Sequence, residues 1–178
     1  MKPLALALVA GLALVPAAAH AGGYVGAGIG TSASVNDSSG SLASDSGHSG
    51  RIVVGERLSR VSIEGAFDAY GLTSASRPAG FDAHSLGIAA KLHLPLVANL
   101  DGVVRVGLEH TWLAGDAAPD LTGDGWTGGL GLEYRLKFAL ASASIWMDYS
   151  RHATTLEQGR TKLDATADIW TAGVSIGL

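Results

Sequence analysis

Asp168-Ile169-Trp170-Thr171-Ala172-Gly173-Val174-Ser175-Ile176-Gly177-Leu178 is the stretch that decides the fold. Counting back from its end, Leu178, Ile176, Val174, Ala172 and Trp170 fall at every second position. Between them stand Gly177, Ser175, Gly173, Thr171 and Ile169, mostly small and neutral. Successive side chains on a strand point to opposite faces, so this is a strand with one greasy face and one small, mildly polar face.

Working outward, seven more stretches show the same period of two. They are Gly23–Val35, Arg51–Leu58, Val61–Leu72, Ala83–Leu94, Gly102–Leu113, Trp126–Lys137 and Ala141–Tyr149. In Ala83–Leu94, for example, Leu86, Ile88, Ala90, Leu92 and Leu94 alternate with Ser85, Gly87, Ala89, Lys91 and His93. The connections alternate too. Asn36–Gly50, Thr73–Asp82, Ala114–Gly125 and Ser150–Ala167 are long and polar, whereas Ser59–Arg60, Pro95–Asp101 and Lys137–Ala139 are short. Short turns on one side and long loops on the other, with strands of about 9–11 residues, are the pattern of a transmembrane barrel. The expected fold is all-β, an eight-stranded antiparallel up-and-down transmembrane β-barrel spanning residues 22–178.

The opposite end agrees. Lys2, an apolar run from Leu4 to Val15, Pro16 and Ala19-His20-Ala21 have the order of a secretory signal peptide, with cleavage expected after Ala21. The apolar run is too short to span a membrane as a helix, which takes about 20 residues. Removing it takes away only Lys2 among the charges, so the formal charge goes from −4 to −5. Mild acidity without a basic cluster argues against a nucleic-acid partner. The chain has no cysteine, so disulfides contribute nothing. Complete strand-to-strand hydrogen bonding in a closed barrel supplies the stability instead.

Four stretches carry a resemblance to a known family: Gly23-Tyr24-Val25-Gly26-Ala27-Gly28-Ile29-Gly30, Val61-Ser62-Ile63-Glu64-Gly65-Ala66-Phe67, Gly129-Leu130-Gly131-Leu132-Glu133-Tyr134-Arg135-Leu136 and the closing strand. The chain resembles the OmpA-type family of small eight-stranded outer-membrane barrels of Gram-negative bacteria. The resemblance implies insertion by the outer-membrane assembly machinery, which reads a final strand such as Trp170, Ala172, Val174, Ile176 and Leu178. The family usually ends on Phe where this chain has Leu178. The resemblance also implies an inward Glu held against inward Arg or Lys, with Glu64 in that place.

On the polar faces lie Arg51, Arg57, Lys91, Arg105, Arg135 and Lys137 with Glu64, Asp68, Glu109, Glu133 and Asp148. An eight-stranded barrel has room for side chains but no open channel, and buried charges must be paired. These residues are therefore expected to form a structural charge network in the lumen. Trp112, Trp126, Tyr134, Tyr149 and Trp170 share the apolar parity and are expected in an aromatic girdle facing outer-membrane lipid.

Other chemistry is sparse. Gly26-x-Gly28-x-Gly30 lacks the helix of a dinucleotide fingerprint and fits a strand packed against bulky neighbours. Asp116, Asp120 and Asp124 lack the Glu of a calcium loop. His48, His84, His93 and His110 are scattered and define no metal site. Asp148, Ser150 and His152 form the one cluster worth weighing as a hydrolase. The expectation is a monomeric, non-enzymatic barrel without cofactor, with a structural or adhesion-like surface-contact role. A lipid hydrolase in the outer membrane and a soluble lipocalin-like carrier are the alternatives, the latter requiring the apolar parity to face inward.

Overall fold

The alternating segments become strands because each can bury one face while the ladder satisfies its backbone. The computed structural model describes residues 22–38, 40, 42–44, 47–74, 80–115, 120–138, 141–158 and 161–177. Its strands are β1 (Gly23–Gly30), β2 (Ser34–Asp37), β3 (Leu42–Ser44), β4 (Ser49–Leu58), β5 (Val61–Ser74), β6 (Gly80–Val97), β7 (Leu100–Gly115), β8 (Leu121–Lys137), β9 (Ser142–Gln158) and β10 (Thr161–Gly177). From β4 to β10 each strand pairs antiparallel with the next. Strand β1 pairs with β4 on one side and β10 on the other, Val25 lying opposite both Val54 and Ile176. The sheet therefore closes on itself.

The ten segments make eight staves. Strand β2 continues β1 along β10, with Val35 opposite Ala167. Strand β3 extends β4 along β5, with Ala43 opposite Thr73. The fold is the expected up-and-down barrel. At the short-turn end, Ser59 and Asn99 adopt φ of 63° and 68°, the left-handed conformation that lets a two-residue hairpin follow the strand twist.

Five expected connections are shorter than their sequence bounds. Asn36–Gly50 contains the end of β2, all of β3 and the start of β4, and Thr73–Asp82 contains the end of β5 and the start of β6. The short link Pro95–Asp101 is mostly strand: β6 runs to Val97 and β7 starts at Leu100, leaving Ala98 and Asn99 as the turn. Register shifts between Pro95 and Val97, an irregularity that suits a residue without a backbone N–H. At the other end, the supposed loop Ala114–Gly125 contains the end of β7 and the start of β8. Most of the supposed loop Ser150–Ala167 is a paired hairpin, β9 reaching Gln158 and β10 restarting at Thr161. The physical reason is a reversal of polarity. Within the bilayer zone Val174, Ile176, Ile145 and Leu130 face outward, whereas beyond it Leu156, Ala167 and Ile169 face inward and Arg151, Thr155 and Lys162 face out. The period of two persists; only the side that is apolar changes.

That outer zone has its own small core of Ala33, Tyr70, Leu72, Ala83, Leu113, Leu156, Ala167 and Ile169. The expected signal segment, residues 1–21, and Leu178 lie outside the described residues.

Candidate functional site

Below the outer core, the inward faces carry charge. Nearest the short turns, Arg57 on β4 reaches Asp101 on β7 at 2.7 Å and Glu133 on β8 at 3.2 Å. Arg135 joins the same Asp101 at 3.1 Å. Lys91 on β6 bonds Glu64 on β5 at 3.1 Å and lies 3.8 Å from Glu133. The Tyr24 hydroxyl donates to the same oxygen that the lysine holds, Glu64 Oε2, at 2.9 Å. Ser62 and His93 Nε2 share a hydrogen bond of 2.7 Å beneath them.

One level up, Arg51 is the centre. Its Nε donates to Asp68, its Nη1 to Asp148 at 2.8 Å, and its Nη2 to Ser150 Oγ at 2.9 Å. Arg51 is 2 % exposed, so three elements are tied together through one guanidinium in a water-poor space. The planar fork suits this task in a way an ammonium would not. Arg105 stands between the layers, 3.9 Å from Asp148. Higher still, His152 Nδ1 lies 2.7 Å from Glu109 Oε2, and its Nε2 lies 3.3 Å from Ser150 Oγ. In the tautomer that carries its proton on Nδ1, the imidazole donates to the Glu109 carboxylate and Nε2 accepts from the serine hydroxyl, whose oxygen accepts from Arg51. The bonds run in one direction, Arg51 to Ser150 to His152 to Glu109. Tyr70 of the outer core rests against the His152 ring, with centroids 6.1 Å apart.

Between the two charged layers lies Trp146, an inward tryptophan 7 % exposed. It fits because Gly28 and Gly173, opposite each other on β1 and β10, form a trough. A Cβ on Gly28 would come within 2.5 Å of the indole, and one on Gly173 nearer still.

Of the residues expected in the lumen, Arg51, Arg57, Glu64, Asp68, Lys91, Arg105, Glu109, Glu133, Arg135 and Asp148 all point inward and, apart from Glu109, pair or approach one another across strands. Glu109 has His152 and Thr154 as its partners instead of Arg or Lys. The side chain of Lys137 lies outside the described ones. Asp101, His93, Tyr24, Ser150 and His152 were not foreseen as members. Asp101 shares the parity of Arg105 and Glu109, a signal hidden by its assignment to a turn.

On the outer wall, Trp112, Trp126, Tyr134 and Trp170 are exposed, and Tyr149 meets Trp170 at a tilt of 51° with centroids 5.3 Å apart. Trp170, Ala172, Val174 and Ile176 of the closing strand face out together. Outside the bilayer zone His110 binds Asp124, and Lys162 binds Glu157 at 2.5 Å, which raises the Lys162 ammonium above its ordinary pKa. His84 stacks on Phe67. Among the described residues no group of three or more His, Asp or Glu could hold a metal ion.

An aliphatic band around a closed antiparallel barrel, over an interior of paired charges, defines an integral protein of the outer membrane. The chain belongs to the outer membrane protein beta-barrel domain family, whose model matches residues 4–177. Its place is accordingly the outer membrane of a Gram-negative cell. Among solved structures it is similar to Neisserial surface protein A, with a TM-score of 0.67 at 18% identity over 89% of this chain and 98% of that one. It is also similar to Ail, the attachment invasion locus protein of Yersinia pestis, in complex with the heparin analogue sucrose octasulfate. There the TM-score is 0.53 at 11% identity over 88% of this chain and 98% of that one. At these identities the likeness is one of fold. No curated protein matches the sequence significantly.

Proposed function

We propose that this protein is a non-enzymatic, monomeric outer-membrane barrel that stabilises the membrane and presents its long hairpins for surface contact, with a lumen plugged by ion pairs. The observation that carries this reading is the stacking of two charged layers, an inward tryptophan and an apolar outer core across one narrow interior. Paired ions of this kind hold a fold together because removing one partner leaves a buried charge. The test is electrical. In a planar bilayer the folded protein should give no steady channel at neutral pH, and stable unitary conductance would overturn the plug.

Charge bears on the surface role. Residues 31–50, 71–84, 110–126 and 150–169 hold nine Asp or Glu against four Lys or Arg, so the net negative charge of the chain falls in the stretches around its long connections. A sulfated ligand of the kind bound by Ail is therefore repelled here, and a cationic partner is favoured. Heparin resin at low salt should not retain the protein; retention would contradict this.

Ser150, His152 and Glu109 favour a second reading, since serine, imidazole and carboxylate stand in the order of a hydrolase triad. Ser150, however, is fully buried and already engaged by Arg51. A fluorophosphonate probe on the folded protein distinguishes the two: labelling lost in Ser150→Ala would establish the hydrolase, and the proposed reading expects none. The carrier alternative needs aliphatics inside along the whole strand, yet Leu86, Ile88, Leu130 and Ile176 face outward. Cleavage after Ala21 and delivery by the assembly machinery complete the proposal; N-terminal sequencing of the mature protein checks the first.

A further inference from the structure

The outward Trp and Tyr side chains do not encircle the barrel; on the opposite wall the outward ring pair is Phe67 on His84, neither of them a Trp or Tyr. The chain has four Trp and four Tyr. Tyr24, Tyr70 and Trp146 point inward, and the other five, Trp112, Trp126, Tyr134, Tyr149 and Trp170, all belong to β7, β8, β9 and β10. The opposite wall, β1 and β4 to β6, presents neither Trp nor Tyr to the outside. A ring that merely sets depth in a bilayer would be needed on every side. A one-sided arc is a facet with something to hold.

Its geometry names the chemistry. The Trp126 indole lies along the wall over Gly128, where a Cβ would come within 3.0 Å of its ring, so one indole face is turned outward. Gly128 is in register with Arg151, and Arg151 with Asp168. Arg151 is held by two bonds of 2.7 Å to Asp168 Oδ1 and Oδ2. These occupy two of the five guanidinium N–H donors. On the other side of this pair stand Tyr149 and Trp170, the latter 53 % exposed. Flat aromatic faces flanking a fixed planar donor and acceptor match a saccharide, whose C–H face stacks and whose hydroxyls bond the rim. Directly below on the same strands lie Leu130, Val174 and Ile176, which face hydrocarbon. Whatever occupies the facet has acyl chains beneath it and a polar head beside Arg151.

We infer that the wall formed by Trp126, Arg151, Asp168, Tyr149 and Trp170 is a binding facet for the saccharide headgroup of a glycolipid in the outer leaflet. The bilayer face, not solution, supplies the ligand, because the facet sits at the edge of the aliphatic band. The inference rests on the orientation that puts the long hairpins outside the cell.

The experiment uses the full chain, folded in nanodiscs of phosphatidylcholine containing a small fraction of lipid A, a phosphorylated diglucosamine lipid, and released for native mass spectrometry. Wild type should carry lipid A in excess of its share of the disc. Trp126→Ala and the double variant Arg151→Ala/Asp168→Ala should each lose at least about fivefold of that retention, the scale expected for a contact worth about 1 kcal/mol. Phe67→Ala, on the bare wall, should not change it. Heat-modifiable gel migration shows whether each variant has folded, and Trp126→Phe, which keeps a ring, covers failure of the alanine form. Retention of lipid A no greater than its share, equal loss on both walls, or a dimer sealed through this facet would overturn the inference. Protease access to the Ser150–Ala167 hairpin on intact cells checks the orientation separately.

Discussion

Two zones of one strand obey opposite rules. On β10, Ile176 is 60 % exposed and faces lipid, while Ile169, seven residues earlier and therefore on the other face, is 1 % exposed and lies in the outer core. Within the bilayer the solvent outside is hydrocarbon, so aliphatics go out and Arg51, Glu64, Lys91 and Glu133 are enclosed together. Beyond the bilayer the solvent is water, and the same strand buries its aliphatics and turns Asp164 and Lys162 outward. The ladder of hydrogen bonds is indifferent to this change. What the contrast teaches is that the barrel wall is one continuous sheet whose sidedness is set locally by whichever medium touches it.

The strongest way to break the comparison is to remove the centre of the inner zone. Arg51→Met leaves Asp68 and Asp148 without their shared cation and should cost about 3–5 kcal/mol in urea-induced unfolding from lipid vesicles. The outer zone should answer to a different change: Ile169→Ala should cost about 2–4 kcal/mol by opening a cavity, as in a water-soluble core. Gly173→Val, which drives a side chain into the Trp146 indole, should cost about 1–3 kcal/mol by overpacking and should be relieved by a smaller residue at position 146. Leu130→Arg tests the lipid wall, with an expected cost of about 2 kcal/mol or less as the position approaches the boundary. Smallest of all, Lys162→Ala removes an exposed, solvent-screened pair and should leave the urea midpoint unchanged.

Most of the inner zone was legible in the sequence. The period of two, the alternation of short and long connections and the inward parity of Glu64, Lys91, Arg105 and Arg135 follow from residue spacing alone. The outer zone was not, because a reading that looks for apolar residues on the lipid side takes Ser150–Ala167 for a loop. In His152-Ala153-Thr154-Thr155-Leu156-Glu157 the alternation is present with its sign reversed. Asp101 was missed for a related reason, since Pro95 suggested a longer turn than the bulge actually requires. Partners across the lumen, such as Arg51 with Asp148 or His152 with Glu109, come from the curvature of the closed sheet and leave no trace in spacing along the chain. The one-sided distribution of Trp and Tyr is visible in the sequence only once the strands are ordered around the barrel.

The reversal itself is open to direct measurement, because the chain contains no cysteine to interfere. Single cysteines at Val174, Ile176, Thr155 and Asp164 can each carry a fluorophore in the folded, vesicle-inserted protein. At Val174 and Ile176 the label should be quenched by lipids brominated on the acyl chain and should resist aqueous iodide. At Thr155 and Asp164 iodide should quench and brominated lipid should not. Quenching of the Thr155 and Asp164 labels by the brominated acyl chains, or of the Val174 label by iodide, would contradict the account.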